Sequence, residues 1–391
     1  MRAPLDFGSV LRAAQATAPT AVVDVVAAAA REAGATDVVA YIVDFEQQVL
    51  EPLPDRATHV ELPVTEQVAG TMAGRAFLTC APVTAERDGG VRVWVPVIEG
   101  SDRTGVLAMT VPAVDDQVLR QCLDLGTLTG YLIATHTRTT DLYQLHRRRK
   151  AMSLAASMQW DLLPPLVLRT PGCGVAALLE PAYEVGGDSF DYAVNGEVVD
   201  LALIDAMGHG VGASSIASLV IGCYRHGRRE GRTPEAIHGS LDDVLQRQYG
   251  GEVFATGQLA QLTLKTGELA WTNAGHPAPL LIRNGRVIKQ LESEPTLPWG
   301  LGGPPPGLAR ESLEPDDAVL FYTDGVVEAR TETGEEFGLD RLADLASQYA
   351  SHQLAPAEVV RQIVRSVLDH RAIELRDDAT LMLVQWHRDT P

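Results

Sequence analysis

The spacing of apolar residues changes character twice along the chain. From Thr20 to Ala33 it has a helical period, and Gly34 follows as a helix-ending residue. DVVAYIVD (37–44) reads as a strand. RVWVPVIEG (92–100) and TGVLAMTVP (104–112) read as two more strands, joined by the polar turn GSDR. Helical spacing returns over 115–135, where Val118, Leu119, Cys122, Leu123, Leu125, Leu128 and Leu132 are apolar. These elements predict a compact α/β domain over residues 1–138.

Residues 136–163 contain neither Gly nor Pro, which predicts one long linker helix, placed at 139–166. Leu142, Leu145, Met152, Ala156, Gln159 and Leu163 fall near a three-four spacing along it. Such a stripe suits a two-stranded coiled coil between protomers or a helix laid on its own domain, and both readings stay open. The basic run HRRRK (146–150) reads as a solvated face.

From residue 167 onward short strands alternate with turn signals. GEVVDLALID (196–205), DAVLFYTDG (317–325) and ATLMLVQW (379–386) are strands, and hairpins are marked at Thr266-Gly267 and Asn284-Gly285. Helices fit 211–229, 234–248, 339–350 and 356–371, with Thr233, Pro234 and Glu235 marking the second start. Strands and helices that segregate in this way predict an α+β fold: for 167–391, a β-sandwich flanked by helix layers.

A chain of 391 residues exceeds one ordinary core, in keeping with two domains. Its net charge of −19 opposes binding to nucleic acid or to an anionic membrane. No apolar stretch approaches the ~20 residues of a membrane span, and the N-terminus lacks the apolar core of a secretory signal. Four cysteines lie far apart without metal-knuckle spacing. The expectation is a soluble cytoplasmic protein.

Acidity matters more where carboxylates converge. EPAYEVGGDSFDY (180–192), LALIDAMGHG (201–210), LFYTDGVVEA (320–329) and RDDATLMLV (376–384) each place aspartates beside a strand end or a glycine turn. An aspartate after a strand commonly caps nearby backbone N–H groups, and each segment alone allows that reading. Four together also suit a site for hard divalent cations, which take carboxylate and carbonyl oxygens; two such ions can activate water and neutralise a phosphate. No nucleophile elbow and no phosphate-binding P-loop accompanies them.

Taken with TNAGHPAPLL (272–281), these segments occur in the order and rough spacing of the metal-dependent type 2C protein serine/threonine phosphatases. The chain resembles the bacterial SpoIIE-like branch over nearly all of 170–386. VWVPVIEGSDRTGVLAM, with the elements around it, resembles a GAF-type sensor domain. The phosphatase resemblance implies two Mn²⁺ or Mg²⁺ ions per site. Asp205 would bridge both, the Ala206 carbonyl would add a ligand to one, and Asp324 and Asp377 would hold the second. Asp188 would stand in or beside the coordination shell, Asp205 and Asp188 would be the catalytic carboxylates, and Asp378 is the alternative to Asp377. Asp191 reads as structural, and Asn273 and His276 as loop-shaping.

Three positions depart from the family pattern. Ala206 stands where Gly is usual, Met207 stands where eukaryotic members carry a histidine with His209 two residues further on, and Ser189 replaces an aromatic residue. No arginine matches the eukaryotic phosphate clamp. The implied function is a GAF-regulated phosphoserine/phosphothreonine protein phosphatase, with direct attack of water on phosphorus and no phosphoenzyme. Its implied substrate is a phosphorylated anti-sigma-factor antagonist, and its implied assembly a homodimer through the GAF-like domain and linker helix. A non-catalytic scaffold of the same fold and a small-molecule phosphomonoesterase are the alternatives.

Overall fold

The computed structural model describes residues 5–55, 64–184, 186–294, 296–304, 306–352, 354–370 and 378–388. The chain divides into two compact units, Met1–Ala151 and Met152–Pro391.

The first unit opens with helices α1 (Phe7–Gln15) and α2 (Val22–Glu32), then strands β1 (Thr36–Val43), β2 (Val49–Pro52) and β3 (Glu66–Gln67). Helix α3 (Met72–Thr79) precedes β4 (Val83–Arg87), β5 (Gly90–Glu99) and β6 (Asp102–Val111), and helices α4 (Asp116–Thr137) and α5 (Leu142–Arg147) close the unit. The strands form one six-stranded sheet in the order β3-β2-β1-β6-β5-β4. Alternation along β1, β5 and β6 sends Ala40, Val95 and Leu107 into a core with α2 and α4, and Tyr41, Trp94 and Val106 into a second core with α3.

The single linker helix expected over 139–166 is interrupted. Helix α5 ends at Arg147, and α6 (Leu154–Leu162) starts afresh behind Ser153, whose hydroxyl caps Ala156 N–H. The basic run between them keeps Arg148, Arg149 and Lys150 exposed, as a solvated face would, while making contacts within the first unit. Arg147 lies over the Phe45 ring and bonds the Val43 carbonyl, while Arg149 pairs with Glu51 and Lys150 with Glu46. A competing cap and these local partners end the helical run that the absence of Gly and Pro had suggested.

In the second unit α6 leads into β7 (Val167–Arg169), β8 (Cys173–Glu180), β9 (Asp188–Asn195) and β10 (Val198–Ala206). Helices α7 (Gly210–Arg229) and α8 (Pro234–Tyr249) follow, then β11 (Ala255–Thr263), β12 (Glu268–Ala274), β13 (Leu280–Arg283) and β14 (Arg286–Gln290). The chain ends through β15 (Ala309–Ser312), β16 (Ala318–Tyr322), α9 (Asp324–Val327), α10 (Leu339–Ser351), α11 (Pro356–His370) and β17 (Ala379–Trp386). Two antiparallel sheets result, β15-β12-β11-β10-β9 and β14-β13-β16-β17-β8-β7. One apolar core lies between them, another under α7 and α8, and a third under α10 and α11. The α+β sandwich with outer helix layers is therefore the fold.

The hairpin between β11 and β12 turns where expected. Gly267 has φ +72°, and a Cβ there would lie 2.6 Å from the Trp386 ring. Gly267→Ala is expected to destabilise the protein by at least ~1 kcal/mol, because it combines a left-handed backbone with a steric clash. Urea denaturation of the two proteins measures the difference.

Candidate active site

The side-chain alternation that builds the central core also builds the site. Along β10, Val199, Leu201 and Leu203 face the space between the sheets, so the next inward position is Asp205. Along β9, read backwards, Tyr192 and Phe190 are followed inward by Asp188. In the other sheet Val319 and Phe321 lead to Thr323, and Val384 and Met382 lead to Thr380 and Asp378. Each apolar row thus changes to carboxylate or hydroxyl at the same end of the sandwich. Asp191, one residue out of phase, faces α7 instead and pairs with Arg225 and Arg228.

Asp188 joins the two sheets. Its Oδ2 accepts hydrogen bonds from Thr323 Oγ1 (2.7 Å) and Thr380 Oγ1 (2.6 Å). Its side chain is buried, and it stands directly opposite Asp205 in the β9–β10 register. Burial raises the Asp188 pKa well above the ordinary carboxylate value, and the Asp205 and Asp378 carboxylates raise it further. The two threonine hydroxyls oppose that rise.

The turn before Asp188 is held from three sides. Asp378 Oδ2 accepts from Gly186 N–H (2.6 Å) and Asp188 N–H (3.1 Å). Ser214 of α7 donates to the Gly186 carbonyl, and Gln159 of α6 donates to the Asp188 carbonyl at 2.8 Å. Gly187 lies so close to the end of β10 that a Cβ would come within 2.1 Å of the Ala206 carbonyl oxygen. Only glycine at this position lets the two backbones approach this closely. Beyond Ala206 the chain passes Met207 and Gly208 to His209, the N-cap residue of α7.

Of the sequence-derived residues, Asp188, Asp205 and the Ala206 carbonyl come together, and Asp378 joins them. Half-buried Asp324 opens α9, next to the Thr323 that bonds Asp188. Asp377 lies outside the described residues. Among the described residues, no group of three or more His, Cys, Asp or Glu side chains is arranged to hold a metal ion. The donors nonetheless fit a hard divalent cation. Asp188 is buried within reach of two other carboxylate charges, an arrangement that a hard divalent cation would neutralise. Asp188, Asp205, Asp324 and the Ala206 carbonyl would hold such ions, with Asp378 beside them.

Asn273 and His276 brace the neighbouring loop. Asn273 accepts from His276 N–H and donates to its carbonyl, both at 2.7 Å. His276 Nε2 meets the Tyr322 carbonyl at 3.1 Å, which can only accept, so Nε2 carries the proton and Nδ1 accepts from Thr256 Oγ1 at 2.9 Å. This neutral histidine ties the loop after β12 to β11 of its own sheet and to β16 of the other. Sequence reasoning missed Gln159 as a support, along with Ser214, Thr323 and Thr380. Thr323 and Thr380 were findable, because each continues an inward-facing row; Gln159 and Ser214 gave no local signal.

Residues 195–387 match the family model described as Stage II sporulation protein E (SpoIIE). Over 292 residues the chain is 24% identical to the phosphoserine phosphatase RsbU of Bacillus subtilis, covering 72% of this chain and 83% of that protein. It is 23% identical over 222 residues to stage II sporulation protein E of Priestia megaterium, covering 56% of this chain and 37% of that protein. The SiaA-PP2C domain of Pseudomonas aeruginosa superposes with TM-score 0.51 at 21% identity, covering 59% of this chain and 94% of the domain, and so shares the fold.

Burial lowers the His276 pKa from 6.5 to about 4, against the opposing bond to Tyr322. The unfolded chain therefore binds this proton first on acidification. The stabilising contribution is complete above pH 6.5 and is lost progressively as pH falls towards 4. Between pH 7 and pH 5 the protein is expected to lose about 2 kcal/mol through His276, a loss absent from His276→Gln. Urea denaturation of both proteins at the two pH values checks this.

Proposed function

We propose that this chain, a serine/threonine phosphatase whose residues 195–387 belong to the SpoIIE family, acts on a phosphorylated protein and is controlled by its N-terminal unit. The observation that carries the catalytic reading is the row of inward-facing carboxylates at one end of the sandwich, Asp188 opposite Asp205 with Asp378 beside them. The site is metal-dependent, and we read it as holding two Mn²⁺ or Mg²⁺ ions. When bound, these ions supply Lewis acidity towards water and the phosphate oxygens. Asp205 and the Ala206 carbonyl bind them from β10, Asp324 from the start of α9, and Asp377 or Asp378 from the segment before β17. Asp188, fixed by Thr323 and Thr380, keeps its carboxylate in the register that Asp205 needs.

A phosphoprotein substrate is supported by the 24% identity to the phosphoserine phosphatase RsbU. The resemblance to the bacterial SpoIIE-like branch implies a phosphorylated anti-sigma-factor antagonist as that substrate. Control by the N-terminal unit is supported by the resemblance of 93–109 to a GAF-type sensor, with its sheet covered by helices on both faces. It is also supported by Gln159, which follows the unit boundary by a few residues and bonds the main chain of Asp188. A homodimer through the first unit and the linker is part of the proposal. Among the described residues, no helix is long and apolar enough to cross a membrane.

Asp205→Asn is expected to reduce Mn²⁺-dependent hydrolysis of p-nitrophenyl phosphate by about 100-fold or more. A wild-type rate in that variant would refute the site. Gln159→Ala removes a bond behind Asp188 without touching substrate. It is expected to raise the Mn²⁺ concentration for half-maximal activity by about 10-fold, read from rates across a Mn²⁺ titration.

A further inference from the structure

Three strands set three side chains in one row at the carboxylate end of the sandwich. Asp205 of β10 stands opposite Asp188 of β9 on one side and opposite Thr256 of β11 on the other. Residues opposed across an antiparallel pair share a face, with Cβ atoms about 5 Å apart. Thr256 accordingly continues the inward-facing row of β11 that includes Ala260 and Leu262 in the core between the sheets. Asp188 is buried, whereas Asp205 and Thr256 are both half-buried, so water reaches the latter two.

The proton of the Thr256 hydroxyl is already taken. His276 Nε2 lies 3.1 Å from the Tyr322 carbonyl oxygen, which can only accept, so Nε2 carries the ring proton. Nδ1 then has only its lone pair, and Thr256 Oγ1 at 2.9 Å donates to it. The histidine is buried and its main chain is gripped by Asn273, which bonds both its N–H and its carbonyl. Burial lowers its pKa from 6.5 to about 4, so the ring is neutral at neutral pH and Nδ1 keeps its lone pair.

A hydroxyl has one proton and two acceptor lone pairs. With the proton on His276, lone pairs are all that Thr256 offers the site. The contrast with Asp188 is chemical. Thr323 and Thr380 both donate to Asp188 Oδ2, whereas the threonine opposite Asp205 has no proton left to give a carboxylate. An ionised carboxylate only accepts, so the group that can meet Thr256 Oγ1 beside Asp205 is a proton donor that carboxylates also attract. A water held by divalent cations is such a donor, because positive charge polarises its O–H bonds.

We propose that Thr256 is a positioning residue of the phosphatase site: its Oγ1, with the proton held by His276, accepts a hydrogen bond from a water in the shell of the cations on Asp205. His276 sets this polarity and acts through Thr256, without touching a cation. The proposal rests on the cation-site reading of the carboxylates. It gives the Asn273–His276 loop a task beyond joining the two sheets. Without an acceptor at Nδ1, the hydroxyl could turn its proton to Asp205 and compete there with the cations.

Two measurements on the full chain test the assignment. The first needs no metal. Nitrogen-15 NMR of the histidine rings at neutral pH reads the tautomer, with the His276 signals identified by their loss in His276→Gln. The Nε2–H tautomer is expected, and an Nδ1–H tautomer overturns the proposal. The second is calorimetric titration with MnCl₂ in the absence of substrate. Thr256→Val keeps the shape of the side chain and removes its oxygen, and its Kd for Mn²⁺ is expected to rise about 10-fold. Thr256→Ser keeps the oxygen and is expected to bind Mn²⁺ with nearly the wild-type Kd. A role confined to packing predicts the opposite order, because valine fills the space of threonine better than serine does. Equal affinity in the wild type and Thr256→Val overturns the proposal while the cation site stands. Absence of Mn²⁺ binding in the wild type overturns the cation reading itself, and the role of Thr256 with it.

Discussion

A carboxylate buried between two sheets needs partners, and the bonding of Asp188 to Thr323 and Thr380 is the constraint on which the rest of the site depends. The two sheets make their apolar contact along inward-facing rows of Leu, Val and Phe, an interaction without direction. The Asp188 bridge adds direction at one end. It couples the start of β9 to the end of β16 and the start of β17, and so fixes Asp205 and Asp378 relative to each other. Burial and neighbouring negative charge both oppose ionisation there. The same arrangement that is costly for a bare protein is a ready set of donors for divalent cations.

The supports around this end come from elements far apart in the chain. Gln159 reaches Asp188 from α6, Ser214 reaches Gly186 from α7, and Asp378 grips the same turn from the segment before β17. Helix α6 therefore meets this turn twice, at the Asp188 carbonyl through Gln159 and, through Ala155 and Ser214, at the Gly186 carbonyl. This gives the interruption between α5 and α6 a physical interest that a continuous helix would lack.

Much of this was legible in the sequence, for identifiable reasons. The row Val199, Leu201, Leu203, Asp205 follows the period of a strand, so an inward aspartate at its end could be read without a structure. The hairpin at Asn284-Gly285, with Arg283 facing Arg286, followed from its turn residues. The start of α8 followed from Thr233 and Pro234. What stayed hidden was non-local. The basic run before Ser153 finds Glu46, Glu51 and Phe45, roughly a hundred residues away in sequence. Gln159 resembles any polar residue on a helix until β9 is placed against it. Strand β4 and helix α3 escaped notice because their apolar positions are few and short.

The proposed divalent-cation site centres on Asp205, among the carboxylates at the end of the sandwich. Calorimetric titration of MnCl₂ into the full chain and into Asp205→Asn tests it most directly. Saturable binding is expected in the wild type, with its loss or marked weakening in the variant. Equal binding in both proteins, or none in the wild type, would contradict it.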